Sequence, residues 1–163
     1  ASVGATTIFA IDVVPSRLEL ARQLGATHVV NSADEDPVEA IRGVAGKGVD
    51  FVVDSTGITS VIRSAVLALR PTGAAAIVGA SKPGAMLDLD VNDLMQNVKS
   101  IRGVVEGDSV PDVFIPKLID LYLAGRFPFD RLVKFYSFDQ INEAAADSEK
   151  GVTLKPIIRI GKV

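Results

Sequence analysis

Asp12 stands near the end of an apolar, β-branched run, ATTIFAIDVV over residues 5–14. A carboxylate placed after a buried strand can accept hydrogen bonds from the hydroxyls of an adenosine ribose. It also repels a phosphate on the 2′ oxygen, which favours NAD over NADP. A solvated acid ahead of a helix looks the same in sequence. Arg17 lies one turn into the helix that follows, where it either flanks the same pocket or faces solvent. Ser55-Thr56-Gly57 follows a second run, VDFVVD. Small hydroxyl residues at a helix start bind ligand oxygens, and they are also ordinary helix caps. Val78-Gly79-Ala80 closes a third run, AAAIVG. A glycine there lets a flat ring or amide approach the backbone, or simply ends a strand.

Other chemistry-bearing residues read as structural. His28 is the only histidine and has no nearby acid in sequence. Glu106 and Asp108, either side of Gly107, form a loop pair. Lys155 is one of several basic residues near the carboxyl end. The chain has no cysteine, so disulfides, thiolate metal ligands and a Cys/His zinc site are excluded. We expect no catalytic residue and no metal ligand within these 163 residues. Seventeen basic against twenty acidic residues give a net charge of −3, which argues against a general nucleic-acid binder. No apolar run approaches the roughly 18 residues of a membrane span. No secretory leader is evident either, so a cytoplasmic location is expected.

These residues need elements to hold them. Strands are predicted over residues 5–14, 27–31, 49–54, 74–79 and 100–105. Between them, helices are predicted from Pro15-Ser16 to Gly25, over 34–45 and 58–69, and as a short piece around 91–95, with another over 113–124. Ser16 and Glu19 match a capping box, and Pro71-Thr72-Gly73 reads as a turn. In the helices, Leu18, Val38, Ile41, Ala45, Ile62, Val66, Leu69, Phe114, Leu118 and Leu121 fall on the inward faces. The tail reads as extended over 132–136, helical over 138–148 and extended over 154–160. Strands alternating with helices predict an α/β fold, a Rossmann-like parallel sheet with helices on both faces. Its ligands would sit at the carboxyl ends of the strands.

One expected feature is missing from the sequence. A dinucleotide fold opens with a strand running into G-x-G-x-x-G, about 20 residues before its ribose-binding acid. Asp12 has only eleven residues before it. Gly43, Gly46 and Gly48 do not substitute, because they follow a helix and precede a strand.

Taken together, AIDVVPSRLELARQLGATHVVNS, GVDFVVDSTG, GAAAIVGA, FYSFDQINEAAADSEKG and LKPIIRI resemble the zinc-dependent, medium-chain alcohol dehydrogenases. FPFDRLVKFYSF is most similar to the aryl- and benzyl-alcohol members. The resemblance implies a truncated NAD-binding domain over residues 1–126, lacking its first strand and glycine-rich loop. Residues 127–163 would then be a tail returning to a catalytic domain that lies outside this chain and binds the zinc. It implies Asp12 as the ribose ligand with Arg17 beside it on the adenosine side. Ser55, Thr56, Val78, Gly79 and Ala80 would neighbour the nicotinamide half, and Lys155 would lie near the pyrophosphate. Val105 and Glu106 fall where the family lines the nicotinamide pocket, although an acid departs from the apolar residue often found there. The implied parent reaction oxidises a primary, aryl alcohol to an aldehyde by hydride transfer to NAD, and the chain alone would be inactive. The competing reading is a non-enzymatic dinucleotide-fold module acting through protein contacts. A methyltransferase-like fold also needs a glycine-rich first loop, so the same absence counts against it. A homo-oligomer is expected, through residues 100–105 or through the strand edges at 6–13 and 49–54 that the absent strand would leave unpaired.

Overall fold

The computed structural model describes residues 4–161. Each helix start has a separate physical cause. Helix α1 (Pro15–Gln23) begins at a proline, whose fixed φ suits the first helical position. Its N-cap is Val14, with no side-chain cap, so the expected capping box at Ser16 and Glu19 does not start it. Asp12 instead holds the turn that leads into it, its Oδ1 accepting from the N–H groups of Val13 and Val14 at 2.8 and 2.9 Å. Helices α2 (Pro37–Ala45) and α4 (Val91–Gln96) have true aspartate caps. Asp36 accepts from Val38 and Glu39, and Asp90 from Asn92 and Asp93.

The strands are β1 (Phe9–Asp12), β2 (His28–Asn31), β3 (Val49–Asp54), β4 (Leu69–Ile77) and β5 (Ser100–Gly103). Helix α3 (Thr59–Leu67) connects β3 to β4. All pairings are parallel: β1 with β2, β3 with β4, and β4 with β5. Among the described residues, β1 and β3 belong to different sheets. The resulting order, 2-1 beside 3-4-5, is a dinucleotide-type order interrupted where its first strand would stand. Phe51 and Val53 of β3 are 78% and 69% exposed, and Ile11 of β1 is also exposed.

Strand β4 departs from expectation at both ends. It begins at Leu69, inside the stretch expected to be helix and turn, and ends at Ile77 rather than Gly79. The register slips between the Val49–Leu69 and Phe51–Ala74 pairs, and Thr72 takes a positive φ of 68° in the extra length. The Pro71-Thr72-Gly73 turn is thus absorbed into the strand as an irregularity.

Helix α2 joins the two sheets through a shared core. Val38, Ile41 and Ala68 are buried together, with Phe9, Ala45, Val49 and Leu67 packed around them. A second cluster, Val66, Leu69 and Ala75, is covered by Val52, Leu89, Leu94 and Ile101. Val66 and Leu69 are essentially sealed from water, and full burial of such a side chain contributes about 1.5–3 kcal/mol.

The chain divides into two compact units between Ser109 and Val110. The second holds α5 (Pro111–Leu123), β6 (Val133–Ser137), α6 (Ile141–Glu149) and β7 (Lys155–Arg159), with β6 and β7 parallel. No residue of α5 is fully buried, but Leu118 and Leu121 are half-buried as their spacing predicts, while Phe114 is exposed. Tyr136, 2% exposed, organises this unit. Its hydroxyl donates to Asp147 at 2.7 Å and lies 2.6 Å from the Thr153 hydroxyl. Lys134 donates to the same carboxylate at 3.0 Å and sits over the Tyr136 ring. The Tyr136 hydroxyl, then Lys134, hold Asp147 below the usual carboxylate range. Tyr136 and Asp147 in turn hold Lys134 protonated above the usual lysine range.

Candidate functional site

Two strand ends carry the candidate residues of the first unit. The first is the exit of β1. There Asp12 spends Oδ1 on its own backbone and presents Oδ2 to Arg17, 3.7 Å from Nη1. Both side chains are about one-third exposed. The Arg17 Nε is buried and has no hydrogen-bond partner. The structure therefore does bring Asp12 and Arg17 together, on a partly exposed carboxylate whose Oδ2 faces Arg17 and is not spent on the backbone. Such an oxygen can accept from a pair of vicinal hydroxyls.

The second is the crossing of the loops that follow β3 and β4. Asp54, the last residue of β3, is 4% exposed. Its Oδ1 accepts from the Thr56 hydroxyl at 2.7 Å and the Thr56 N–H at 3.2 Å, and its Oδ2 accepts from the Gly57 N–H at 3.0 Å. Its carbonyl takes the N–H groups of Val78 and Gly79 at 2.8 and 3.0 Å. Ser81 closes the arrangement by donating its hydroxyl to the Gly57 carbonyl at 2.7 Å.

Glycine is required on both sides of this crossing. A Cβ on Gly79 would lie 2.2 Å from the Gly57 nitrogen and 2.7 Å from the carbonyl carbons of Ser55 and Thr56. A Cβ on Gly57, whose φ is +67°, would lie 2.4 Å from the Ala80 oxygen. Ser55, Thr56, Val78, Gly79 and Ala80 are thus one physical cluster. Thr56 is not a helix cap: α3 starts at Thr59 with Ile58 as its N-cap. Its hydroxyl donates to Asp54 and accepts from the Ile58 N–H, so both its functions are used within the loop. Ser55, Val78 and Ala80 are exposed and available to a ligand.

The remaining candidates lie elsewhere. His28 stacks on Phe9 with ring centres 4.9 Å apart and has its Nδ1 2.9 Å from the Thr27 hydroxyl, a packing role. Val105 and Glu106 are exposed, and Asp108 pairs with Arg102 at 2.5 Å. Lys155 is exposed and opens β7 in the second unit, just beyond buried Thr153. Sequence reasoning missed Asp54. Its neighbours Thr56 and Gly57 were visible, but its role depends on residues 78–81, more than twenty positions away.

Among the described residues no three His, Cys, Asp or Glu side chains come together to hold a metal ion. No helix among them is long and apolar enough to cross a membrane.

The family model described as zinc-binding dehydrogenase matches residues 1–124. Benzyl alcohol dehydrogenase from Acinetobacter calcoaceticus is 55% identical with a TM-score of 0.95, over 97% of this chain and 44% of that one. An alcohol dehydrogenase zinc-binding domain protein from Burkholderia ambifaria is 56% identical with the same TM-score, over 98% and 43% of the two chains. Geraniol dehydrogenase from Castellaniella defragrans is 40% identical over 96% of this chain and 42% of its own length. The chain thus spans less than half the length of these relatives.

Proposed function

From the premise that the chain belongs to the zinc-binding dehydrogenase family, we propose that it is the coenzyme-positioning part of an NAD-dependent alcohol dehydrogenase. Its parent would oxidise a primary aryl alcohol to the aldehyde. The observation that carries this reading is Asp12, which ends a parallel strand with one carboxylate oxygen committed to the backbone and the other, on a partly exposed side chain, beside Arg17. The 55% identity to a benzyl alcohol dehydrogenase supports the aryl substrate. NAD, when bound, supplies the hydride acceptor.

The work of this chain is positional. Asp12 accepts from the adenosine ribose and opposes a 2′-phosphate, with Arg17 flanking it. Ser55, Val78 and Ala80 border the nicotinamide half, and the Gly79 backbone allows a flat ring to come close. Thr56 shapes that border by donating its hydroxyl to Asp54 rather than by offering that hydroxyl to the coenzyme. The dinucleotide-binding part runs through residue 126, and 127–163 is the returning tail. The place between β1 and β3 is the one that the strand bearing a glycine-rich loop takes in this strand order. The described residues hold no metal site, and in this reading the chain alone would not turn over alcohol. Among the described residues β5 pairs with β4 alone, and its free edge suits pairing between two copies.

Calorimetry on the full-length protein tests the coenzyme reading. NAD is expected to bind at least tenfold more tightly than NADP, and Asp12→Ala should erase that preference. An Asp12→Ala protein that still prefers NAD tenfold would sink the reading. Formation of NADH from benzyl alcohol, faster than from ethanol, tests the substrate class.

A further inference from the structure

We propose that Asp54 is a positioning residue for the nicotinamide half of the coenzyme. This inference rests on the coenzyme reading above and goes beyond it, because Asp54 itself touches no ligand in that reading. The carboxylate is buried at the end of β3, and both its oxygens are spent on the 55–57 loop. Its backbone carbonyl meanwhile fastens Val78 and Gly79 of the neighbouring loop. One residue thereby fixes two loops at once.

The fixing is needed because the loops touch with no side chain between them. Gly57 and Gly79 approach so closely that a Cβ on either would collide with backbone of the other loop. Two segments pressed together in this way have little packing area to hold them. Hydrogen bonds set their separation instead. Removing a carboxylate oxygen leaves an N–H without a partner in a site from which water is largely excluded. The loop then relaxes outward, and Ser55, Val78 and Ala80 lose their mutual spacing. The Asp12 end of the coenzyme would be unaffected, because it belongs to another sheet.

The test compares NAD with AMP, the adenosine half alone, by calorimetry on the full-length protein. Asp54→Asn keeps the shape but turns one oxygen into an N–H donor facing the Gly57 N–H. It should weaken NAD binding about tenfold while AMP binding stays within about twofold. Thr56→Val, which removes the hydroxyl that donates to Asp54 and accepts from the Ile58 N–H but leaves the carboxylate in place, should give the same split at about threefold. It decides the matter if Asp54→Asn does not fold. Equal losses for NAD and AMP would show that Asp54 serves only the fold and overturn the proposal, as would unchanged NAD affinity in either folded variant. A wild-type protein that binds neither NAD nor AMP overturns the coenzyme reading itself, and this inference with it.

Discussion

Asp12 and Asp54 each end a parallel strand, yet they are used in opposite ways. Asp12 is partly exposed, gives one oxygen to the backbone and turns the other toward Arg17 and solvent. Asp54 is buried and gives both oxygens to its own loop. Position in the fold is therefore a poor guide to role. What separates a ligand-facing acid from an organising acid is how many of its lone pairs the protein has already filled.

The steepest test of that contrast is at the crossing itself. Gly79→Ala places a methyl group against the Gly57 nitrogen. It should destabilise the first unit by about 3 kcal/mol or more, read as a fall in the urea midpoint. A loss under about 1 kcal/mol would mean that the loops part easily and that Asp54 has little to hold. Next, Asp54→Ala leaves the Thr56 and Gly57 N–H groups unpaired and should cost about 2–3 kcal/mol. Asp12→Ala, whose backbone partners can turn to water, should cost about 1 kcal/mol or less by the same measurement. Equal costs would erase the distinction between the two acids.

Asp147 provides a third acid in a third setting. Tyr136 and Lys134 hold its carboxyl below the ordinary range, so it binds protons more weakly in the folded chain than in the unfolded one. The stability it contributes is complete above about pH 4, the unfolded value. That stability is lost as pH falls through the lower folded value. Chemical denaturation at pH 7 and pH 3 should therefore show a smaller acid loss for Asp147→Asn than for wild type. Tyr136→Phe, which deletes the hydroxyl shared with Asp147 and Thr153, should cost about 1–2 kcal/mol at pH 7. The smallest effect is reserved for Arg17→Ala. An exposed pair of this kind is worth about 0.2–1 kcal/mol, so its folding stability should barely move.

What could be read in sequence follows from the range of the forces involved. VDFVVD and THVVN declared their strands because β-branched apolar runs act locally, and Asp12 was placed because it follows such a run. The capping box at Ser16 and Glu19 misled because Pro15 sets the helix start two residues earlier, with Val14 at the N-cap. Asp36, followed by Pro37 and by Glu39 three residues on, was the better cap signal and went unused. The start of β4 was misjudged because its register against β3 slips there, a property of the pair and not of either strand. The Tyr136–Asp147–Thr153 bonds join residues up to seventeen positions apart, and Asp54 matters through loops that meet only after folding. Neither leaves a local mark in the chain.

The interlocked glycines carry a consequence for redesign. Gly57 and Gly79 are twenty-two positions apart in sequence but occupy one space, so neither loop can be lengthened, shortened or recoloured alone. Grafting the 55–57 segment onto another scaffold would fail unless residues 78–81 travelled with it. The portable part is a pair of loops tied by one carboxylate, and recombination between homologues should tolerate breakpoints outside residues 54–81 better than within them.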